Sequence, residues 1–144
     1  MKITGDLVEI TRYRRAKAFE TLEDIKKLLK NGMLSLAMNR VYYSGFYMVS
    51  ALSILDNKKF SKHKMLIGYF NKEYLKTELF NRELGKILND SFERRNALDH
   101  HDFTTITKSE IQEYYINIRN FVTEIDKIFQ KRLLEHSEVG HQHS

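Results

Sequence analysis

Apolar residues recur at three- and four-residue spacing through most of this chain, which is the pattern of amphipathic α-helices. The spacing is clearest from about Ser109 to Leu134, where it predicts one long helix. Asp6 to about Lys30 is predicted to form the first helix. Asn31-Gly32 follows it, and because glycine readily adopts the left-handed conformation that closes a helix, we expect the first helix to end there.

The middle of the chain predicts three further helix starts. Met33 to Leu55 is the most apolar stretch, and a helix that is apolar on most sides is usually surrounded by others. Ser61 is the predicted cap of a short helix that runs to about Tyr74, and Asn81 is the predicted cap of a longer one that ends at about His100. The last helix is expected to start with a capping box formed by Thr107 and Glu110.

Four long helices and one short helix, joined by brief turns, predict an all-α fold, an antiparallel up-and-down bundle. The chain has 144 residues and no proline, which leaves its helices uninterrupted and suits one domain. We predict that this domain spans residues 1–135. Residues 136–144 show no periodicity, and we expect them to form a disordered C-terminal tail.

Composition narrows the classes of function without naming one. The net charge of +5 favours polyanionic partners, although solvated charged faces would give the same composition. The absence of cysteine excludes disulfides, a thiol nucleophile and a thiolate metal site. Val41 to Leu55 is too short an apolar run to span a membrane, and the first 30 residues lack the pattern of a secretory signal. A cytoplasmic location is therefore expected.

Ionisable side chains are concentrated in the stretch from Phe92 to Phe103. At 100° per residue, Arg95 and Asp99 continue the face that packs the helix, whereas Asn96 and His100 share a neighbouring face. Arg95 and His100 are then about 140° apart, so one regular helix cannot readily aim both at the same atom. Either the helix loosens near His100 or a two-fold axis brings the stretches of two chains together, and we favour the dimer.

A simpler interpretation needs no active site. Opposite charges four residues apart on a packing face can form a satisfied ion pair, and a histidine near a helix C-terminus interacts favourably with the helix dipole. On composition and spacing alone, this is the more economical interpretation of Arg95, Asp99 and His100.

The stretch Arg95–His100 resembles the Arg-x4-6-His signature of HEPN domains, helical proteins found with nucleotidyltransferases and in RNA-cleaving defence systems. Asn39–Phe46 resembles the Arg-x-Tyr-Tyr-x-x-Phe segment of the family's second helix. Ser61–Phe70 resembles its Ser/Thr-His-x-x-hydrophobic-x-x-x-Phe segment, and Tyr74–Thr77 matches the usual continuation. Because the segments occur in order between Ala37 and Phe103, the resemblance implies the HEPN fold.

The resemblance also implies a chemistry, that of a metal-independent endoribonuclease without a cofactor. His100 would take the 2′-hydroxyl proton of RNA or donate a proton to the leaving oxygen, and Arg95 would stabilise charge on the phosphate. Asn96 would position His100 or the phosphate, and Asp99 would orient Arg95. In a symmetric dimer, the two copies of His100 could act as acid and base.

The implied biological role is the toxin half of a toxin–antitoxin pair with a small nucleotidyltransferase. Many relatives in the small single-domain branch carry Tyr at the position of His100, so His100 favours activity here. Active toxins often carry a Tyr two residues after that histidine as a target for nucleotidyl modification, whereas this chain has Asp102. The alternatives are a non-catalytic HEPN module that binds a nucleotide or a protein partner, and a plain helical adaptor.

Further candidate contacts for phosphate or RNA are Arg94, His63, Lys64 and Arg40. His63 could equally cap or pack its helix, and Arg40 is expected to pair with an acid of the fourth helix. Adjacent histidines such as His100 and His101 point in different directions on a helix. Without a clear third or fourth ligand, we expect no metal site.

Overall fold

The computed structural model describes the backbone of residues 4–142 and the side chains of residues 4–136. Within that range the α-helices are α1 (Gly5–Lys30), α2 (Leu34–Leu55), α3 (His63–Phe70), α4 (Arg82–His100) and α5 (Lys108–Gln142). A π-helical turn, Asn71–Leu75, continues directly from α3. Four long helices and one short helix, with no strand between residues 4 and 142, confirm the predicted all-α bundle.

The most apolar helix, α2, contacts each of the other four helices. Its buried side chains extend around most of its circumference, and Val41, Met48 and Leu52 are fully buried. Full burial of a large aliphatic side chain contributes roughly 1.5–3 kcal/mol, so α2 supplies much of the driving force for the fold. The prediction that other helices surround this one is confirmed. Within residues 4–142, no helix has both the length and the apolar character needed to cross a membrane.

The turn after α1 has the geometry that its sequence predicts. Gly32 has a φ of +70°, the left-handed region, and its N–H donates to Leu29 O at 3.1 Å. The N–H of Met33 donates to Leu28 O at 2.9 Å. Together these bonds satisfy the last free carbonyl groups of the helix, in the arrangement known as the Schellman motif. The predicted end of the first helix is confirmed.

Two of the three predicted caps are also confirmed. Asn81 Oδ1 accepts a hydrogen bond from the Leu84 N–H at 2.8 Å at the start of α4. Thr107 and Glu110 form the capping box, because the Glu110 N–H donates to Thr107 Oγ1 at 3.1 Å and the Thr107 N–H donates to Glu110 Oε1 at 3.3 Å. Both caps satisfy N–H groups that have no partner within the helix.

The predicted cap of the short helix at Ser61 is wrong. The structure begins α3 at His63, with Lys62 as the cap residue and no side chain capping the first turn. The first residue of α3 makes a contact distant in sequence, because the hydroxyl of Tyr42 is hydrogen-bonded to His63 Nδ1 at 2.7 Å. This bond joins the start of α3 to α2.

The short helix also ends differently from the prediction, because regular α-helix stops at Phe70 and the π-helical turn follows. This turn carries Tyr74 to the carboxylate of Asp56, which accepts hydrogen bonds from the hydroxyls of Tyr69 and Tyr74. Arg132 Nη1 donates to the other oxygen of Asp56 at 2.8 Å. Burial, and then the bond to Asp56, raise the pKa of both tyrosines, so their phenols remain donors. The carboxylate thus joins the end of α2 to α3, the turn and α5.

The last helix extends beyond the predicted domain boundary at residue 135. Its backbone is helical to Gln142, and His136 Nε2 donates to Leu55 O at 2.8 Å. Residues 143 and 144 lie outside the described residues, as do the side chains after His136. The structure therefore continues α5 through part of the predicted tail, and disorder of residues 143 and 144 stays a prediction.

The crossing of α2 with α4 and α5 depends on Gly45. A methyl group at this position would lie 2.9 Å from Ile118 Cδ1 and 3.3 Å from Leu88 Cδ1. We expect Gly45→Ala to lower the free energy of unfolding, measured by urea denaturation, by about 1–3 kcal/mol. Gly68→Ala in α3 is the matched control. No atom would lie within 4 Å of its new methyl group, so its stability should be unchanged or slightly higher. Equal stability of the two variants would contradict this close crossing.

Candidate active site

The guanidinium group of Arg95 lies over three aromatic rings. Its Cζ is 5.3 Å from the ring centre of Tyr42, 5.4 Å from that of Tyr43 and 6.0 Å from that of Phe92. Only 17% of the side chain is exposed, and among the described residues its Nε and Nη1 are buried without a hydrogen-bond partner. Each unsatisfied donor costs about 1–3 kcal/mol, and desolvated cation–π contacts of about 2 kcal/mol offset part of that cost. Arg95 is thus held in the fold with unused donors.

Asp99 is the one acid that contacts Arg95 among the described side chains. Its Oδ2 lies 3.4 Å from Arg95 Nε, in a geometry that makes an ion pair but no hydrogen bond. The contact confirms that these two residues share a face of α4. Asp99 is 44% exposed, so water screens the pair and the pair leaves the buried donors of Arg95 unsatisfied.

His63 lies against the same rings as Arg95. Its ring stacks on Phe46 at 4.4 Å and more distantly on Phe92 at 6.2 Å, with Nδ1 hydrogen-bonded to the Tyr42 hydroxyl. Burial, and then the positive charge of Arg95, lower the pKa of His63, while burial raises the pKa of Tyr42. We call the rings that surround these two side chains the aromatic cage; it consists of Tyr42, Tyr43, Phe46 and Phe92.

Local helical spacing places the rings of the cage on α2 and α4. Tyr42 and Phe46 are four residues apart on α2, and Phe92 and Arg95 are three apart on α4, so each pair shares a face. His63 joins them as the first residue of α3. Sequence reasoning treated His63 only as a phosphate contact, a cap or a packing residue, and it missed the bond to Tyr42. The available signal was that a buried tyrosine hydroxyl usually needs a partner.

The catalytic pair implied by the sequence is separated within one chain. The helix α4 stays regular through His100, and only its cap residue His101 becomes extended, with φ −113° and ψ 122°. The helix therefore stays intact through His100 and opens at His101, where the sequence predicts its pattern to end. Arg95 turns inward onto the cage, whereas His100 is exposed and Asn96 is half-buried. Among the described residues, neither the Asn96 nor the His100 side chain makes a hydrogen bond.

Arg94 connects α4 to the start of α5. Its Nη2 donates to Thr105 O at 2.8 Å and to Glu110 Oε2 at 3.0 Å. The bond to Arg94 lowers the pKa of Glu110, with a smaller effect from the Thr107 N–H. These two contacts hold the guanidinium group of Arg94 between α4 and the start of α5, so its role in the structure is to connect them.

Arg40 is held by its neighbours on α2. Its Nε and Nη2 donate to Asn39 Oδ1 at 3.0 and 2.7 Å, and its Cζ lies 5.1 Å from the ring centre of Tyr43. The expected pairing with an acid of the fourth helix is wrong, because the adjacent amide of Asn39 supplies the acceptor. Arg40 and Arg95 therefore both lie over Tyr43, while Lys64 is exposed beside His63.

The cage lies outside the two described clefts of the molecule. A cleft of about 800 Å³ opens beside Asp56 and Arg132, and another of about 710 Å³ lies between Asp90 of α4 and Asn117 of α5. Across the described residues, no group of three or more His, Asp and Glu side chains is placed to hold a metal ion. Arg95, His63 and His100 therefore lie outside an enclosed pocket, an arrangement that suits a large anionic ligand at the surface better than a small molecule held in a cavity.

Comparison with known proteins connects this arrangement to a family. A family model described as HEPN domain matches residues 11–128, which include the cage and the stretch Arg95–His100. A protein of Thermotoga maritima named "UPF0332 protein" is 38% identical over 122 residues, covering 85% of this chain and 92% of that protein. A protein of Methanocaldococcus jannaschii named "Putative toxin MJ0142" is 32% identical over 112 residues, covering 74% of this chain and 76% of that protein. The resemblance drawn from short segments is confirmed.

An NMR titration tests the electrostatics of the cage. We expect the pKa of His63 to lie below its ordinary value of about 6.5, because burial and Arg95 both disfavour the imidazolium form. Stability contributed by neutral His63 is then present above about pH 6.5 and is lost as the pH falls through the folded-state pKa. Arg95→Met should raise the pKa of His63 toward its ordinary value without reaching it, because the variant removes the positive charge but keeps His63 buried.

Arg94→Met is the matched control for this titration, since it removes a neighbouring charge that is bound to Thr105 and Glu110 instead. It should leave the pKa of His63 unchanged. An ordinary pKa in the wild-type protein, or the same pKa in wild type and Arg95→Met, would contradict the cage as described.

Proposed function

Because this chain belongs to the HEPN family, we propose that it is a metal-independent endoribonuclease that uses Arg95 and His100. The observation that carries the proposal is the placement of Arg95, whose Nε and Nη1 are buried and unpaired within the described part of the chain. Native proteins rarely leave such donors unsatisfied, and the planar fork of an arginine matches the oxygens of a phosphate. The 17% of the Arg95 side chain that is exposed is the part that an RNA phosphodiester would contact first, and a shift of the side chain toward the phosphate would then give its buried donors an acceptor.

The proposed reaction uses the 2′-hydroxyl of RNA as its nucleophile. Its oxygen attacks the adjacent phosphorus and the bond to the 5′-oxygen breaks, which leaves a 2′,3′-cyclic phosphate and a 5′-hydroxyl. Arg95 stabilises the charge that builds on the phosphate oxygens. His100 is exposed, so its ring nitrogens are free to exchange a proton with the RNA, and Asn96 on the same face would bind the phosphate. Asp99 orients Arg95.

A second chain completes the site in this proposal. Arg95 and His100 point about 140° apart on the regular helix α4, so they cannot readily meet at one phosphate within one chain. A two-fold axis near the end of α4 would bring His100 of one chain to Arg95 of the other, which makes a homodimer the functional form.

The proposed biological role is that of a toxin in a toxin–antitoxin pair, acting on RNA in the cytoplasm. The similarity to a protein named "Putative toxin MJ0142" supports this role, and the net charge of +5 suits a polyanionic substrate. A small nucleotidyltransferase is the proposed partner. Asp102 occupies the position at which such toxins often carry a modified tyrosine, so the partner would control this chain by another means.

A non-catalytic binding module is the second candidate. The exposed ring of His100 is not oriented by any hydrogen bond among the described residues, and the unpaired donors of Arg95 would bind a nucleotide phosphate as well as they would bind RNA. Under this alternative, His100 would be dispensable.

RNA cleavage in EDTA distinguishes the endoribonuclease from the non-catalytic binding module. We expect the purified protein to cut single-stranded RNA, and His100→Ala to lower the rate by about 10²–10⁴-fold, the usual contribution of general acid–base catalysis. His101→Ala removes the adjacent exposed histidine and should keep the wild-type rate. Urea denaturation should show the same stability for both variants. Cleavage by His100→Ala at the wild-type rate, or nucleotide binding by a protein that never cleaves, would overturn the enzyme assignment.

A further inference from the structure

We propose that His63 is a second proton-transfer group of this site and acts as its general base, an inference that rests on the proposed function. His63 and Arg95 lie on the same rings. The ring centre of His63 is 5.6 Å from that of Tyr42 and 5.7 Å from that of Tyr43, and Arg95 is similarly close to both. One chain therefore places a proton acceptor beside the arginine proposed to bind phosphate, whereas His100 lies on a different face of α4.

The ring of His63 is held as a general base requires. Stacking on Phe46 and Phe92 fixes its plane, and the bond of 2.7 Å to the Tyr42 hydroxyl occupies Nδ1. Within the described residues Nε2 has no hydrogen-bond partner, and the side chain is half-buried rather than enclosed. The proposal requires the tautomer in which Nδ1–H donates to the oxygen of Tyr42, because Nε2 then carries the free lone pair that accepts a proton; in the other tautomer the Tyr42 hydroxyl donates to Nδ1 and Nε2–H is a donor. Tyr42 is thereby a positioning residue.

The charges around His63 favour its neutral form at pH 7. Arg95 is the charged group that faces it from α4, and the titratable groups that face it from α2 are Tyr42 and Tyr43. Lys62 and Lys64 flank it in its own segment and are exposed. Burial, and then the positive charge of Arg95, lower the pKa of His63.

The two histidines then have different parts in one reaction. The RNA 2′-hydroxyl gives its proton to His63 Nε2, and the 2′-oxygen attacks the phosphorus. The bond from phosphorus to the 5′-oxygen breaks, and that oxygen takes a proton from His100. Arg95 stabilises the extra charge on the phosphate oxygens throughout. Proton exchange with water returns His63 to its neutral form and His100 to its protonated form.

The competing explanation is that His63 only satisfies the buried hydroxyl of Tyr42. Rescue by imidazole separates the two roles. We expect His63→Ala to cut RNA in EDTA about 10²–10⁴-fold more slowly than wild type. Added imidazole should restore cleavage in proportion to its neutral fraction, because the vacated space between Phe46 and Phe92 accepts a planar ring. His63→Gln fills the site without accepting a proton and should show the same loss with no rescue.

The pH dependence of the rate adds a second readout through Tyr42→Phe, which keeps the ring and removes the hydroxyl. The hydroxyl accepts from Nδ1–H most strongly when His63 is protonated, so its loss should move the acid limb of the pH–rate profile to lower pH. A purely structural role for Tyr42 would change stability without moving that limb.

Each outcome decides between the proposals. If wild type cleaves and His63→Ala cleaves equally well, the role of His63 is overturned while the enzyme assignment stands. The same holds if His63→Ala and His63→Gln are folded and inactive but imidazole restores neither. If wild type does not cleave RNA at all, the proposed function fails, and the role of His63 fails with it.

Discussion

The burial of α2 on nearly every side is the constraint on which the rest of the structure depends. Every other helix packs against it, so each polar group that it carries needs a partner inside the fold. Ser44 bonds back to the carbonyl of Val41, and Tyr42 bonds to His63. The Tyr42 hydroxyl thus connects α2 to the first residue of α3. The same ring, with its neighbour Tyr43, provides the surface over which Arg95 lies.

The candidate site is therefore an extension of the hydrophobic core. Phe92 belongs to the core and also contacts both His63 and Arg95. Packing of this kind positions His63 and Arg95 without a dedicated loop, and it leaves the buried donors of Arg95 unpaired at a cost that the fold tolerates. An unsatisfied buried donor in a native fold calls for an explanation, and a role in catalysis is one of those that apply. His100, at the end of the same helix, lies outside this packing.

The parts of this structure that depend on local spacing could be predicted from the sequence. The turn at Gly32, the cap at Asn81 and the shared face of Arg95 and Asp99 need only residues a few positions apart. The contacts of the first residue of α3 and of the π-helical turn could not be predicted, because their partners Tyr42 and Asp56 lie elsewhere in the chain. For the same reason the sequence left His63 open as a phosphate contact, a cap or a packing residue, and gave no sign of its place beside Arg95.

The central claim is that two chains together form one RNA-cleaving site, since a regular α4 keeps Arg95 and His100 of one chain apart. Mixing two inactive variants tests it directly. After subunit exchange, verified by native mass spectrometry, an equal mixture of Arg95→Met and His100→Ala should recover about a quarter of the wild-type rate of RNA cleavage. Half of the dimers would then be mixed, and each mixed dimer would hold one intact site of two. A mixture that exchanges subunits and stays as inactive as its components would contradict the account.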